Sequence, residues 1–234
     1  MANLDLEEQE QLDQLKAFWN QYGNYITWGL IVVLGAFAGW NLYQRWQTGQ
    51  SAQASALFDE LDRVAQSKDA VKIERVFADL KEKFPSTAYA SQGGLLVAKA
   101  QFDSGKLEEA KAALNWVAEK SSDDGYQAIA RLRLAGILIE GKSLDDALKQ
   151  LAGSFPAEFS GLVADRKGDV LTLQGKTAEA KAEYEKAYKA LDEKSEYRRL
   201  LEVKLNALGV DPKPAGDKAG SALVPSSAAG AEKK

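Results

Sequence analysis

Lys16 and Arg45 bracket 28 residues, Ala17 to Gln44, that carry no charged side chain. This window decides what the chain can fold into. As a helix it spans ~42 Å, the thickness of a bilayer with its headgroup layers. Its centre, Ile26 to Trp40, is nearly all apolar. Trp19, Tyr22, Tyr25 and Trp28 sit at one end, and Trp40, Tyr43 and Trp46 at the other. Aromatic side chains gather in this way at the two membrane–water interfaces. A buried helix of a soluble core has no need of two aromatic belts. A secretory signal peptide needs a basic start, but the first 15 residues carry Asp5, Glu7, Glu8, Glu10 and Asp13 and no Lys or Arg. No small-residue cleavage site follows. The window therefore predicts a single transmembrane helix over 22–44, after a short acidic arm over 1–21. Lys16 and Arg45 lie on opposite sides, so charge alone does not set the orientation.

Trp19, Trp28, Trp40 and Trp46 are the expected interface anchors. Within the span, Gly35 and Gly39 stand four apart, with Ala36 and Ala38 between them. Small residues at this spacing let another helix approach closely, although glycine is also simply common in membrane helices. On the arm, Leu4, Leu12, Leu15 and Phe18 mark one helix face.

Beyond Gln47 the chain becomes rich in Ala, Leu, Lys and Glu, with apolar spacings of three and four and no sustained alternation. The fold class is all-α. Gly105-Lys106, Gly141-Lys142 and Gly175-Lys176 recur 36 and 34 residues apart, each between two amphipathic segments and each followed by acidic residues. Phe84-Pro85 and Phe155-Pro156 recur at about twice that period. A helix–turn–helix unit of this length is the tetratricopeptide period. Each glycine is expected to end a first helix in a left-handed turn, with acids favouring the start of the second. Ala110, Ala147 and Ala180 fall where helices cross closely. Gly168, Ala180, Tyr184 and Ala187 follow the repeat's small–small–aromatic–small order. Ala98, Ala110 and Leu114 follow it more loosely, and the second unit carries one extra residue after Lys142. Residues 51–84 read as a divergent helical pair and 195–208 as a closing helix. The expected organisation is a helical solenoid over 45–209, then a Pro/Ala/Lys tail over 210–234 without periodic apolar residues.

The chain has no His and no Cys. That excludes thiol nucleophiles, Ser-His-Asp triads and most metal sites. Asp123-Asp124 and Asp145-Asp146 read as a loop and a helix first turn rather than acid–base pairs. No catalytic residue, metal or cofactor is expected. A net charge of −4 does not suggest a nucleic-acid surface. If the repeat register holds, Gln92, Lys99, Arg131, Asp165 and Asp169 line the concave face, where solenoids bind partners.

Glu10-Gln11-Leu12-Asp13-Gln14-Leu15-Lys16-Ala17-Phe18-Trp19 with Tyr22-Gly23-Asn24, and Gly35-Ala36-Phe37-Ala38-Gly39-Trp40 in the span, resemble the corresponding stretches of the YfgM family. Val163-Ala164-Asp165-Arg166-Lys167-Gly168-Asp169 and Leu205-Asn206 continue the likeness, which covers about residues 5–208. The long tail departs from the family pattern. The resemblance implies a single-pass inner-membrane protein, N-terminus cytoplasmic and repeats periplasmic. It implies an ancillary role at the Sec translocon, beside a membrane-anchored prolyl-isomerase-type chaperone and emerging secreted proteins. A homodimer is compatible with the small-residue face. The rival reading is a membrane-anchored adaptor in envelope-stress signalling or cell division.

Overall fold

The computed structural model describes residues 6–67, 69–192 and 194–212. The sequence expectations for Leu4, Asp5 and nearly all of the tail, from Lys213 on, lie outside the described residues. Among the described residues the chain is helical, with no strand. The helices are α1 (Leu6–Ser67), α2 (Ala70–Lys83), α3 (Ala88–Asp103), α4 (Leu107–Lys120), α5 (Asp124–Glu140), α6 (Leu144–Leu151), α7 (Ser160–Leu173), α8 (Thr177–Ala190) and α9 (Tyr197–Ala207). A short 3-10 turn, Ala157–Phe159, precedes α7.

The chain divides into two compact units, 1–56 and 57–234. The first holds most of α1. No break in α1 marks the expected limits of the acidic arm or of the membrane span. Among the described residues α1 is the one helix long and apolar enough to cross a membrane. Leu30, Ile31, Val32, Val33, Leu34 and Phe37 are all more than half exposed along it. A surface this apolar is stable against lipid, not against water.

The second unit is a stack of helix pairs. α3/α4, α5/α6 and α7/α8 are the three repeats, and α9 closes the last of them. Ahead of them, the end of α1 meets α3 through Phe58 and Tyr89, whose ring centroids lie 5.9 Å apart. The starts of α2, α3 and α5 are capped by Asp69, Thr87 and Asp123, whose side chains accept from backbone amides of the first turn. α4 and α6 lack such a cap but place Glu108, Glu109, Asp145 and Asp146 in their first turns. The partial positive charge of the helix start favours carboxylates there. Neighbouring first helices are in contact, α3 with α5 and α5 with α7. That shared face of first helices is the one the repeat pattern predicts as the concave, inner face.

Each first helix ends in the same turn. The amide of Lys106 donates to Gln101, that of Ser143 to Leu138 and that of Lys176 to Leu171, at 2.8–2.9 Å. Gly105 and Gly175 take the left-handed conformation this turn requires, both at φ 75°. In the second unit the expectation fails by one position. Gly141 stays at φ −75°, and Lys142 is left-handed instead, at φ 59°. The extra residue after Lys142 is the cause. The turn is set by its distance from Ala147, which packs the second helix, so the left-handed site moves one residue along. A lysine there strains its Cβ against the backbone. Lys142→Gly is expected to stabilise the domain by about 0.5–1 kcal/mol, read as a higher urea midpoint at unchanged slope.

Candidate protein-binding face

The membrane-side residues lie on α1. Trp19, Trp28, Trp40 and Trp46 are each about three-fifths exposed. Gly35 and Gly39 have open space where a Cβ would project. Gly23 differs: the Trp19 indole folds over it, and a Cβ there would sit 3.2 Å from the ring. Thr27 returns its hydroxyl to the Gly23 carbonyl at 2.7 Å, which satisfies that hydroxyl within the apolar span.

The packing residues Ala110, Ala147 and Ala180 are fully buried at the helix crossings. Gly168 is buried under the ring of Tyr184, where a Cβ would lie 2.5–2.9 Å from three ring carbons. The repeat order thus has a steric meaning: glycine on the first helix makes room for tyrosine on the second.

Of the five residues expected on the inner face, two lie on α3, the first helix of its repeat. Gln92 is half-buried on α3 and donates to the Tyr126 hydroxyl at the start of α5. Lys99 is exposed on α3 beside Asp103. The other three are engaged elsewhere. Arg131 turns toward the second helices and donates to the Ala118 carbonyl of α4 at 3.4 Å, with the Gly153 loop against its guanidinium. A shift of two residues along α5 separates it from the inner face, which Arg133 reaches instead.

Asp165 and Asp169 are drawn inward by α9. Asp165 has a side chain only 3% exposed. It accepts from the Tyr197 hydroxyl at 2.6 Å and from Lys204 Nζ at 2.7 Å. Asp169 accepts from the same Nζ at 2.6 Å and from the Tyr184 hydroxyl at 2.8 Å. Lys204 also lies over the Tyr184 ring, 5.3 Å from its centroid. Burial pushes the phenols of Tyr184 and Tyr197 above their ordinary range, and the carboxylates beside them push in the same direction. Both hydroxyls stay protonated at neutral pH and serve as donors. The cluster is an internal clamp between α7, α8 and α9. Its chemistry is fully used in holding the closing helix, so these two carboxylates are corrected from partner-facing to structural. The sequence reading missed Lys204, and the one signal for it is its place on the α9 face that also carries Tyr197, Leu201, Leu205 and Leu208.

The open part of the inner face lies between α3 and α5. A groove of about 340 Å³ is floored by Ala98, Phe102, Leu114, Gly136 and Ile137 and rimmed by Lys99, Arg133 and Glu140. Spacing alone missed Arg133, Gly136 and Glu140, because the packing of α3 against α5 decides which α5 residues line the groove.

A group of three or more carboxylates able to hold a metal does not occur among the described residues. The model of the "Tetratricopeptide repeat-like domain" family matches residues 16–210. Three curated relatives are named "Ancillary SecYEG translocon subunit". The one from Neisseria gonorrhoeae is 32% identical over 87% of this chain and 98% of its own length. That from Haemophilus influenzae is 30% identical over 87% and 98%. That from Escherichia coli K12 is 26% identical over 87% and 97%. No solved structure matches the chain. With a membrane-length helix, three repeats and a closing helix all inside the matched region, the chain belongs to the YfgM family of tetratricopeptide repeat-like proteins.

Proposed function

We propose that the chain is a non-catalytic, single-pass inner-membrane protein that attends the Sec translocon. Its repeats stand on the periplasmic side and hold partner chains on the inner helix face. The observation that carries this reading is the near-complete coverage of relatives named as translocon subunits, membrane helix included. The resemblance extends the reading to a prolyl-isomerase-type chaperone and to emerging secreted proteins as partners. The absence of His and Cys fits a protein that acts by binding alone. On this reading Gly35 and Gly39 face neighbouring membrane helices, and the four tryptophans set the depth of the span.

The test has two arms. A tagged full chain, extracted from membranes in mild detergent, is expected to bring down the translocon subunits. Gly35→Leu/Gly39→Leu is expected to reduce that recovery severalfold. A phosphatase that is active only outside the cytoplasm, fused after Leu208, is expected to be active. Recovery of signalling or division proteins without translocon subunits would overturn the partner. An inactive fusion would overturn the topology.

A further inference from the structure

Gly136 sits in the interior of α5, where glycine costs helix stability relative to alanine. The other interior glycines of the repeats are explained by packing. A Cβ on Gly93 would strike Leu80 and Leu61, on Gly94 Val117, on Gly161 Leu191 and on Gly168 Tyr184. A Cβ on Gly136 would meet no atom within 4 Å. The fold itself gives no reason for a glycine there. The position does floor the α3–α5 groove. A bare backbone at a groove floor lets a bound backbone approach closely.

The groove's rim adds a direction. Arg133 is exposed, and its guanidinium makes one long contact, 3.4 Å to the Leu95 carbonyl. Glu140 is exposed at the C-terminal end of α5. Among the described residues neither enters an ion pair. Seven residues apart on one helix, they stand ~10 Å from each other along its axis, which is three residues of extended chain. Between them the floor is apolar: Phe102, Leu114 and Ile137. The volume of about 340 Å³ lies at the small end of ligand pockets, ~300–1,000 Å³.

We propose that this groove binds an extended peptide segment with an acidic residue at the Arg133 end, an apolar side chain over Phe102 and Ile137, and a basic residue three positions after the acid, at Glu140. The proposal rests on the inner-face binding described above and supplies its sequence preference. Gly136 is the point of closest backbone approach.

The probe is a fluorescein-labelled Gly/Ser peptide carrying Glu-Leu-Gly-Lys, with a second peptide in which Glu and Lys are exchanged. Both are titrated against the full chain in detergent micelles by fluorescence anisotropy. The first peptide is expected to bind about threefold to fivefold more tightly than the second, the range of two partly exposed ion pairs. Arg133→Glu/Glu140→Arg is expected to invert that preference. Gly136→Ala is expected to raise the melting temperature of the repeat domain by ~2–4 °C while weakening binding. Gly136→Leu, which fills the groove, is expected to abolish binding. Unchanged binding by Gly136→Ala, or a charge-exchanged protein that keeps the original preference, would overturn the proposal. Recovery of translocon subunits is scored separately on the same variants. Its persistence when peptide binding is lost confines the failure to the groove.

Discussion

Lys204→Met is expected to destabilise the repeat domain by about 3 kcal/mol, the largest single-charge effect in the chain. The lysine ammonium bridges Asp165 and Asp169 at 2.7 and 2.6 Å. Removing it leaves two neighbouring carboxylates, the buried Asp165 with no cation of its own and Asp169 with only the half-exposed Arg166 at 3.8 Å. Breaking a buried pair by deleting one partner costs about 3–5 kcal/mol. The lower end applies here, because Lys204 and Asp169 keep about a fifth to a quarter of their side-chain exposure. The tyrosine hydroxyls donate to both acids but carry no charge to offset them. The loss is expected to concentrate in α9, whose amides should exchange faster in hydrogen–deuterium exchange while those of α3 and α4 stay protected. Asp165→Asn/Asp169→Asn added to Lys204→Met is expected to recover much of the loss, since a neutral buried cluster no longer needs a cation. A loss below about 0.5 kcal/mol in urea unfolding would show that the clamp contributes no more than a surface pair.

Gly168→Ala is the second large effect, expected to cost about 2 kcal/mol although alanine is the better helix former. The added methyl lands 2.5–2.9 Å from the Tyr184 ring, which is itself buried and tied to Asp169 and Thr172. Overpacking of this kind costs about 1–3 kcal/mol and outweighs the helix propensity gained. The chain carries its own control. In the first repeat the matching positions are Ala98 and Leu114, and in the second they are Ala135 and Leu151, all buried. Where the first helix has alanine, the second has the smaller leucine. Gly168→Ala/Tyr184→Leu imitates those units. It is expected to be less destabilised than the sum of its single changes by about 1 kcal/mol or more. Strict additivity would show that the glycine and the tyrosine are not matched to each other.

These two sites show how far the residues could be read in one dimension. The Gly168–Tyr184 relation was legible, because both ends are fixed positions of a repeat with a known period. The turns at Gly105 and Gly175 were legible for the same reason, while Lys142 was displaced by a single inserted residue. The clamp was half legible. Asp165 and Asp169 stood out as acids on a helix face, but their partner lies 39 and 35 positions away. Only the docking of α9 reveals that they point inward.

The sequence by itself determined the membrane-length helix, the all-α class, the repeat period and the family. The first three rest on local periodicity or on the absence of charge and the family on a likeness of residue stretches, and none needs a tertiary contact to be read. The tertiary structure alone decided which polar residues are used up inside and which remain available. A helix has about three or four polar positions per two turns, and the neighbour that packs against it selects among them. That selection buried Asp165, turned Arg131 toward α4 and left Arg133 and Glu140 at the rim of an apolar groove.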